Sequence, residues 1–144
     1  MKEEFSQLVE AACEARLRSY SPYSKFQVGA ALRGKSGTIY PATNVENASI
    51  GLSICAERSA VFRAVAEGEN EFTAIAICAD GAVPTLPCGA CRQVLIEFGR
   101  GLRVLVAGDQ GLQGEVLEFT LEELIPHAFE TFVDNLSPEP EGPS

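Results

Sequence analysis

The sequence predicts an α/β fold, a mixed sheet with helices on both faces, and three observations predict it. An apolar run from Val28 to Leu32 meets turn chemistry at Gly34-Lys35-Ser36-Gly37, and the chain then returns from Thr38, which reads as a hairpin. Downstream, strand-like apolar runs alternate with segments of helical spacing, the pattern of strand–helix–strand units. Phe72 to Cys78 and Leu102 to Ala107 are apolar without alternation, as strands covered on both faces must be.

Taken in order, Glu3 to Arg18 is expected as an amphipathic helix, with Phe5, Leu8, Val9, Ala12 and Ala15/Arg16 on one face. Ser21-Pro22 should stop it, because proline disfavours a helical conformation in the preceding residue. After the hairpin, Cys55 to Glu67 has helical spacing through Ala56, Ala60, Val61, Ala64 and Val65, and Gly68 supplies its end. Cys88 to Phe98, with Val94, Leu95 and Phe98 inward, is a further helix ended by Gly99. Gly108 to Gly114 turns, Glu115 to Phe119 is an edge strand, and a short helix begins at Leu121. One domain is expected over 1–136, followed by a Pro/Glu-rich disordered tail over 137–144.

Composition narrows the function. A net charge of −9 repels polyanions, whose affinity rests on neutralised phosphates, so no nucleic-acid partner is expected and a small, weakly charged ligand is. No apolar run is long enough to span a membrane. The N-terminal Lys2-Glu3-Glu4 is acidic where a secretion signal would be cationic and then apolar, so the expected location is cytoplasmic. The cysteines, Cys13, Cys55, Cys78, Cys88 and Cys91, are odd in number, which argues for a metal site or catalytic thiol rather than a disulfide framework.

The chemistry concentrates in Cys55-Ala56-Glu57 and Pro87-Cys88-Gly89-Ala90-Cys91. A Cys-x-x-Cys pair at a helix start places two sulfurs within reach of one ion, and Cys55 at another helix start supplies a third. Three protein ligands leave a tetrahedral position open, as in a catalytic zinc. Helix N-termini stabilise thiolates, and Arg58 is placed to offset the net negative charge of zinc with three thiolates. Glu57, beside the ligands without being one, can move protons. Two other readings of the cysteines stand at this point. One is a redox-active pair, which leaves Cys55-x-Glu57 unexplained; the other is a structural zinc knuckle, with Cys13, Cys78 or His127 as fourth ligand.

These motifs, with Arg92-Gln93 after the second, carry the zinc-deaminase signature. Together with Ser21-Pro22-Tyr23-Ser24-Lys25-Phe26-Gln27-Val28-Gly29-Ala30-Ala31-Leu32 and Asn44-Val45-Glu46-Asn47-Ala48, they resemble the small homotetrameric cytidine deaminases from about Ser19 to Phe129. The resemblance implies a three-layer α/β/α fold around a five-stranded mixed sheet and one zinc per subunit. It implies Cys55, Cys88 and Cys91 as ligands, Glu57 as the catalytic proton shuttle, and Arg58 on the ligand sulfurs. It further implies Asn44 and Glu46 at the ribose, Phe26 and the Ala56 backbone at the base, and Phe129 reaching a neighbouring subunit's site. The implied reaction is hydrolytic deamination of cytidine and 2′-deoxycytidine to the uridines plus ammonia, with zinc activating the water, in pyrimidine salvage. A related nucleoside such as blasticidin S is the alternative substrate. Ile50, Leu86 and His127 depart from the residues usual in relatives, which bears on the subunit interface and loops.

Overall fold

The computed structural model describes residues 1–130; the expected tail over 137–144 lies outside the described residues. Helix α1 spans Glu3–Arg16, strands β1 (Val28–Gly34) and β2 (Ile39–Thr43) form the hairpin, and helix α2 spans Ala56–Ala66. Strand β3 (Phe72–Ala79), helix α3 (Gly89–Ile96), strand β4 (Arg103–Ala107), strand β5 (Val116–Thr120) and the short helix α4 (Leu121–Leu124) follow. The sheet order is β2-β1-β3-β4-β5, with β3 and β4 parallel and the other neighbours antiparallel.

Period-two alternation on β3 divides the core. Ile75 and Ile77 face a cluster with Ala56, Ala60, Val61 and Ala64 of α2 and Leu95 and Ile96 of α3. Ala74, Ala76 and Cys78 face the opposite way, onto Leu8, Val9 and Ala12 of α1. The molecule is therefore three layers, α/β/α, on a five-stranded mixed sheet, as expected.

Small residues set the layer spacing. Ala56, Ala60 and Ala64 recur one turn apart on the buried face of α2 and let its backbone lie close to the sheet. On the other side, a Cβ at Gly29 would stand 2.1 Å from the Ala12 carbonyl oxygen and 2.4 Å from the Arg16 backbone nitrogen. Only glycine fits where α1 crosses β1.

Helix α1 ends at Arg16, two residues before the expected Arg18 and well ahead of Ser21-Pro22. Its last turn tightens through i→i−3 bonds, with the N–H groups of Leu17 and Arg18 donating to the Glu14 and Ala15 carbonyls at 3.2 and 2.9 Å. Arg16 pairs with Asp80, whose other oxygen accepts the Gln27 N–H at 2.7 Å. The chain then leaves to pair with the segment after β2, where Tyr20 N–H meets the Asn44 carbonyl and Glu46 N–H meets the Tyr20 carbonyl. Tertiary pairing, not proline, sets this boundary. Among the described residues no helix is long and apolar enough to cross a membrane.

Candidate active site and metal centre

Both cysteine motifs begin helices on the same side of the sheet. Cys55 and Cys88 are the N-cap residues of α2 and α3, each extended with ψ of 155° and 169°, and their carbonyls accept the first helical hydrogen bonds, from Ser59 and Arg92. Pro87 favours the extended approach to Cys88. Cys91 follows in the first turn of α3 and is fully buried. The three sulfurs lie within 4.8 Å of one another, and among the described residues no other histidine, cysteine or carboxylate joins them.

This donor set fits zinc. Zinc–sulfur bonds of about 2.3 Å in a tetrahedron place sulfurs about 3.8 Å apart, and Cys55 Sγ stands 3.9 Å from Cys88 Sγ. The electrostatics favour a thiolate at Cys55. Hydrogen bonds from Cys91 first, then from Arg58 and Cys88, hold the Cys55 thiol down at about 5. Arg58 Nη2 donates to Cys55 Sγ at 3.4 Å, and that bond keeps the guanidinium firmly charged. Cys91 retains its proton more strongly than a free thiol because it donates to Cys55.

Glu57 sits in the first turn of α2 and is 5% exposed. Burial pushes its carboxyl up to about 7, aided by the neighbouring Cys55 charge. A carboxyl balanced near neutrality can both take and return a proton.

A cavity of about 270 Å³ opens beside the sulfurs, lined by Cys55, Ala56, Glu57 and Cys88 at one end and by Phe26, Asn44 and Glu46 at the other. Val28, Ile54, Ile77, Ala79, Thr85 and Leu86 complete the wall. The sequence sets Asn44 and Glu46 two apart on one segment, and both line one cavity. It did not show how much of their bonding is internal. Asn44 Oδ1 accepts the Val28 N–H at 3.0 Å and the Ser19 hydroxyl, and its amide donates to the Phe26 carbonyl at 2.9 Å. Glu46 Oε1 accepts the N–H groups of Tyr23 and Ser24 at 3.0 and 3.1 Å, and Oε2 accepts the Ser24 hydroxyl.

Phe129 is away from this cavity in its own chain, 55% exposed, with its carbonyl held by Gln93 Nε2 at 2.7 Å. Arg92 binds the carbonyls of Pro87 and Leu124, both at 2.8 Å, and so ties the loop before Cys88 to the end of α4. Cys78 is buried, Cys13 half-buried and His127 exposed, and none of the three joins the sulfur group; no fourth ligand for a structural knuckle comes from them.

Three thiols at two helix N-termini, a buried carboxyl beside them and an α/β/α frame define a zinc-binding hydrolytic centre. Residues 2–107 match the cytidine and deoxycytidylate deaminase zinc-binding region, and the chain belongs to that family. It is 48% identical to a cytidine deaminase from Halalkalibacterium halodurans over 122 residues, covering 85% of this chain and 91% of the relative. The crystal structure of a cytidine deaminase from Burkholderia pseudomallei superposes with a TM-score of 0.81 at 45% identity, covering 90% of this chain and 100% of the other. A blasticidin-S deaminase from Bacillus cereus is more distant, 34% identical over 83% of this chain and 88% of its own length.

Proposed function

We propose that the protein hydrolyses cytidine and 2′-deoxycytidine to uridine and 2′-deoxyuridine with release of ammonia, as a cytoplasmic enzyme of pyrimidine salvage. The observation that carries this reading is the placement of buried Glu57 against a three-sulfur donor set, in a cavity whose far end offers Asn44 and Glu46. Cys55, Cys88 and Cys91 would hold one zinc per subunit, and zinc so held supplies Lewis acidity that makes a water nucleophilic near neutral pH. Glu57 takes the proton of the attacking water and delivers it to N3 of the pyrimidine as C4 is attacked; it then takes the proton of the hydroxyl added at C4 and gives it to the departing amino group, leaving a C4 carbonyl and ammonia. Arg58 offsets the charge of the sulfurs. The Ala56 backbone and the Phe26 ring hold the base.

Bond counting supports a sugar at the far end. With two N–H groups on Oε1 and one hydroxyl on Oε2, Glu46 keeps one accepting lone pair, and Asn44 keeps one amide N–H. One acceptor beside one donor suits a hydroxyl that donates to Glu46 and accepts from Asn44. A phosphate would meet the Glu46 charge, held ionised by hydrogen bonds from Ser24.

We further propose a homotetramer in which Phe129 reaches the cavity of a neighbour, with 1–136 as the single catalytic domain. Phe62 and Val65 of α2 are 51% and 45% exposed and line an apolar groove with Val94 and Phe98, a surface suited to cover by another subunit. Ile50, 70% exposed, adds to that character.

Ammonia release from cytidine, 2′-deoxycytidine, blasticidin S and a cytosine-containing oligonucleotide tests the substrate. Release from the two nucleosides far above the others is expected. Preference for blasticidin S or the oligonucleotide would overturn the assignment.

A further inference from the structure

The segment Ser21-Pro22-Tyr23-Ser24-Lys25-Phe26 has no part in the metal chemistry, yet it is bound in detail. Lys25 adopts a left-handed backbone, φ 62°, alone among the described non-glycine residues. Its N–H closes onto the Ser21 carbonyl at 3.0 Å, so the chain reverses just before Phe26. Ser24 stands between the two ends of the reversal. Its hydroxyl donates to Glu46 Oε2, and its oxygen accepts the Phe26 N–H at 3.0 Å.

We propose that Ser24 is a positioning residue for the substrate, coupling the Glu46 carboxylate to the aromatic wall that Phe26 forms beside it in the cavity. This rests on the nucleoside reading above. The bonds run one way: Phe26 N–H to Ser24 Oγ, then Ser24 O–H to the Glu46 carboxylate. A hydroxyl that donates to a charged acceptor is polarised and accepts more strongly, so the order of Glu46 passes to the Phe26 backbone. The same hydroxyl, with the Ser24 and Tyr23 N–H groups, keeps the Glu46 carboxylate in one orientation with one lone pair left for a ligand. Ser24 itself does not line the cavity; it acts through two residues that do. Loss of the hydroxyl therefore loosens both Glu46 and Phe26 and leaves the sulfurs and Glu57 unaltered.

Ser24 is exposed, so its replacement opens no core void and a γ-methyl has room. Ser24→Ala should raise KM for cytidine roughly three- to thirtyfold, the range for a lost hydrogen bond to a charged group at a partly solvated site, with kcat within about twofold. Zinc content and thermal midpoint should stay those of the wild type, and Ser24→Thr should restore KM. In a Glu46→Ala background, Ser24→Ala should add little, because the coupling has lost its acceptor. A normal KM for Ser24→Ala, or effects of Ser24→Ala and Glu46→Ala that multiply, would overturn the role of Ser24 if Glu46→Ala and Phe26→Ala each raise KM. If those two variants leave KM unaltered, the nucleoside reading of the cavity falls, and the proposal with it.

Discussion

The two ends of the cavity are built by different means. At the sulfur end, Cys55, Glu57, Cys88 and Cys91 stand on the first turns of two helices whose apolar faces are locked into the core; Ala56, Ala60, Cys91 and Leu95 are at most 1% exposed. At the other end, Phe26 and Glu46 stand on irregular chain, 39% exposed in the case of Phe26, and their order comes from side-chain hydrogen bonds across the 19–28 and 44–46 segments. Proton transfer and metal binding need fixed distances, which packed helices provide. Admitting and releasing a ligand needs a wall that can yield, which a hydrogen-bonded loop provides. The difference predicts that substitutions at the first end act on turnover and those at the second on apparent affinity.

Glu57→Gln should break the comparison most sharply. The expected loss in kcat is about 10²–10⁴-fold or more, since one carboxyl serves several proton transfers, with zinc retained and KM changed little. Near-normal turnover would move proton transfer to another group. Phe26→Ala should show the converse: KM raised by about tenfold or more, from lost stacking of roughly 1–3 kcal/mol, with kcat much less affected. A kcat loss equal to that of Glu57→Gln would erase the distinction between the two ends.

The smallest effect is expected outside the cavity. Glu69 accepts the Ser36 N–H, the Ser36 hydroxyl and the Tyr40 hydroxyl, each at 2.8 Å, and so fastens the β1–β2 hairpin. These bonds, the Ser36 N–H foremost, hold its carboxyl below the ordinary 4.5. The folded state thus binds this proton less readily than the unfolded chain. The stabilisation is complete above the ordinary carboxyl range and fades as pH falls through the lowered value. Glu69→Gln should lower the thermal midpoint slightly at neutral pH, by less in acid, and leave kcat and KM unchanged. A destabilisation that grows in acid would contradict the assigned charge state.

Much of this contrast was legible in the sequence, and the physics says which part. Helix starts at Cys55 and Cys88 follow from local spacing, and once both are helix starts the position of Glu57 relative to Cys55 is fixed by covalent geometry. The doubly buried strands showed themselves by composition. By contrast, the end of α1 at Arg16 depends on Asp80 and on pairing of Tyr20 with Asn44 and Glu46, partners distant in sequence. The tight crossing at Gly29 was hidden too, because a glycine in a strand does not say what lies above it. No role for Ser19 or Ser24 follows from the sequence; only the fold brings them to Asn44 and Glu46.

The central claim is that the three sulfurs form an open, catalytic zinc centre rather than a closed structural one. Zinc X-ray absorption on the purified protein, with metal content from the same sample, tests it directly. The account predicts about one zinc per chain with three sulfurs and one oxygen or nitrogen in its first coordination sphere. Four sulfurs, or a protein that binds no zinc with its thiols intact and reduced, would contradict it.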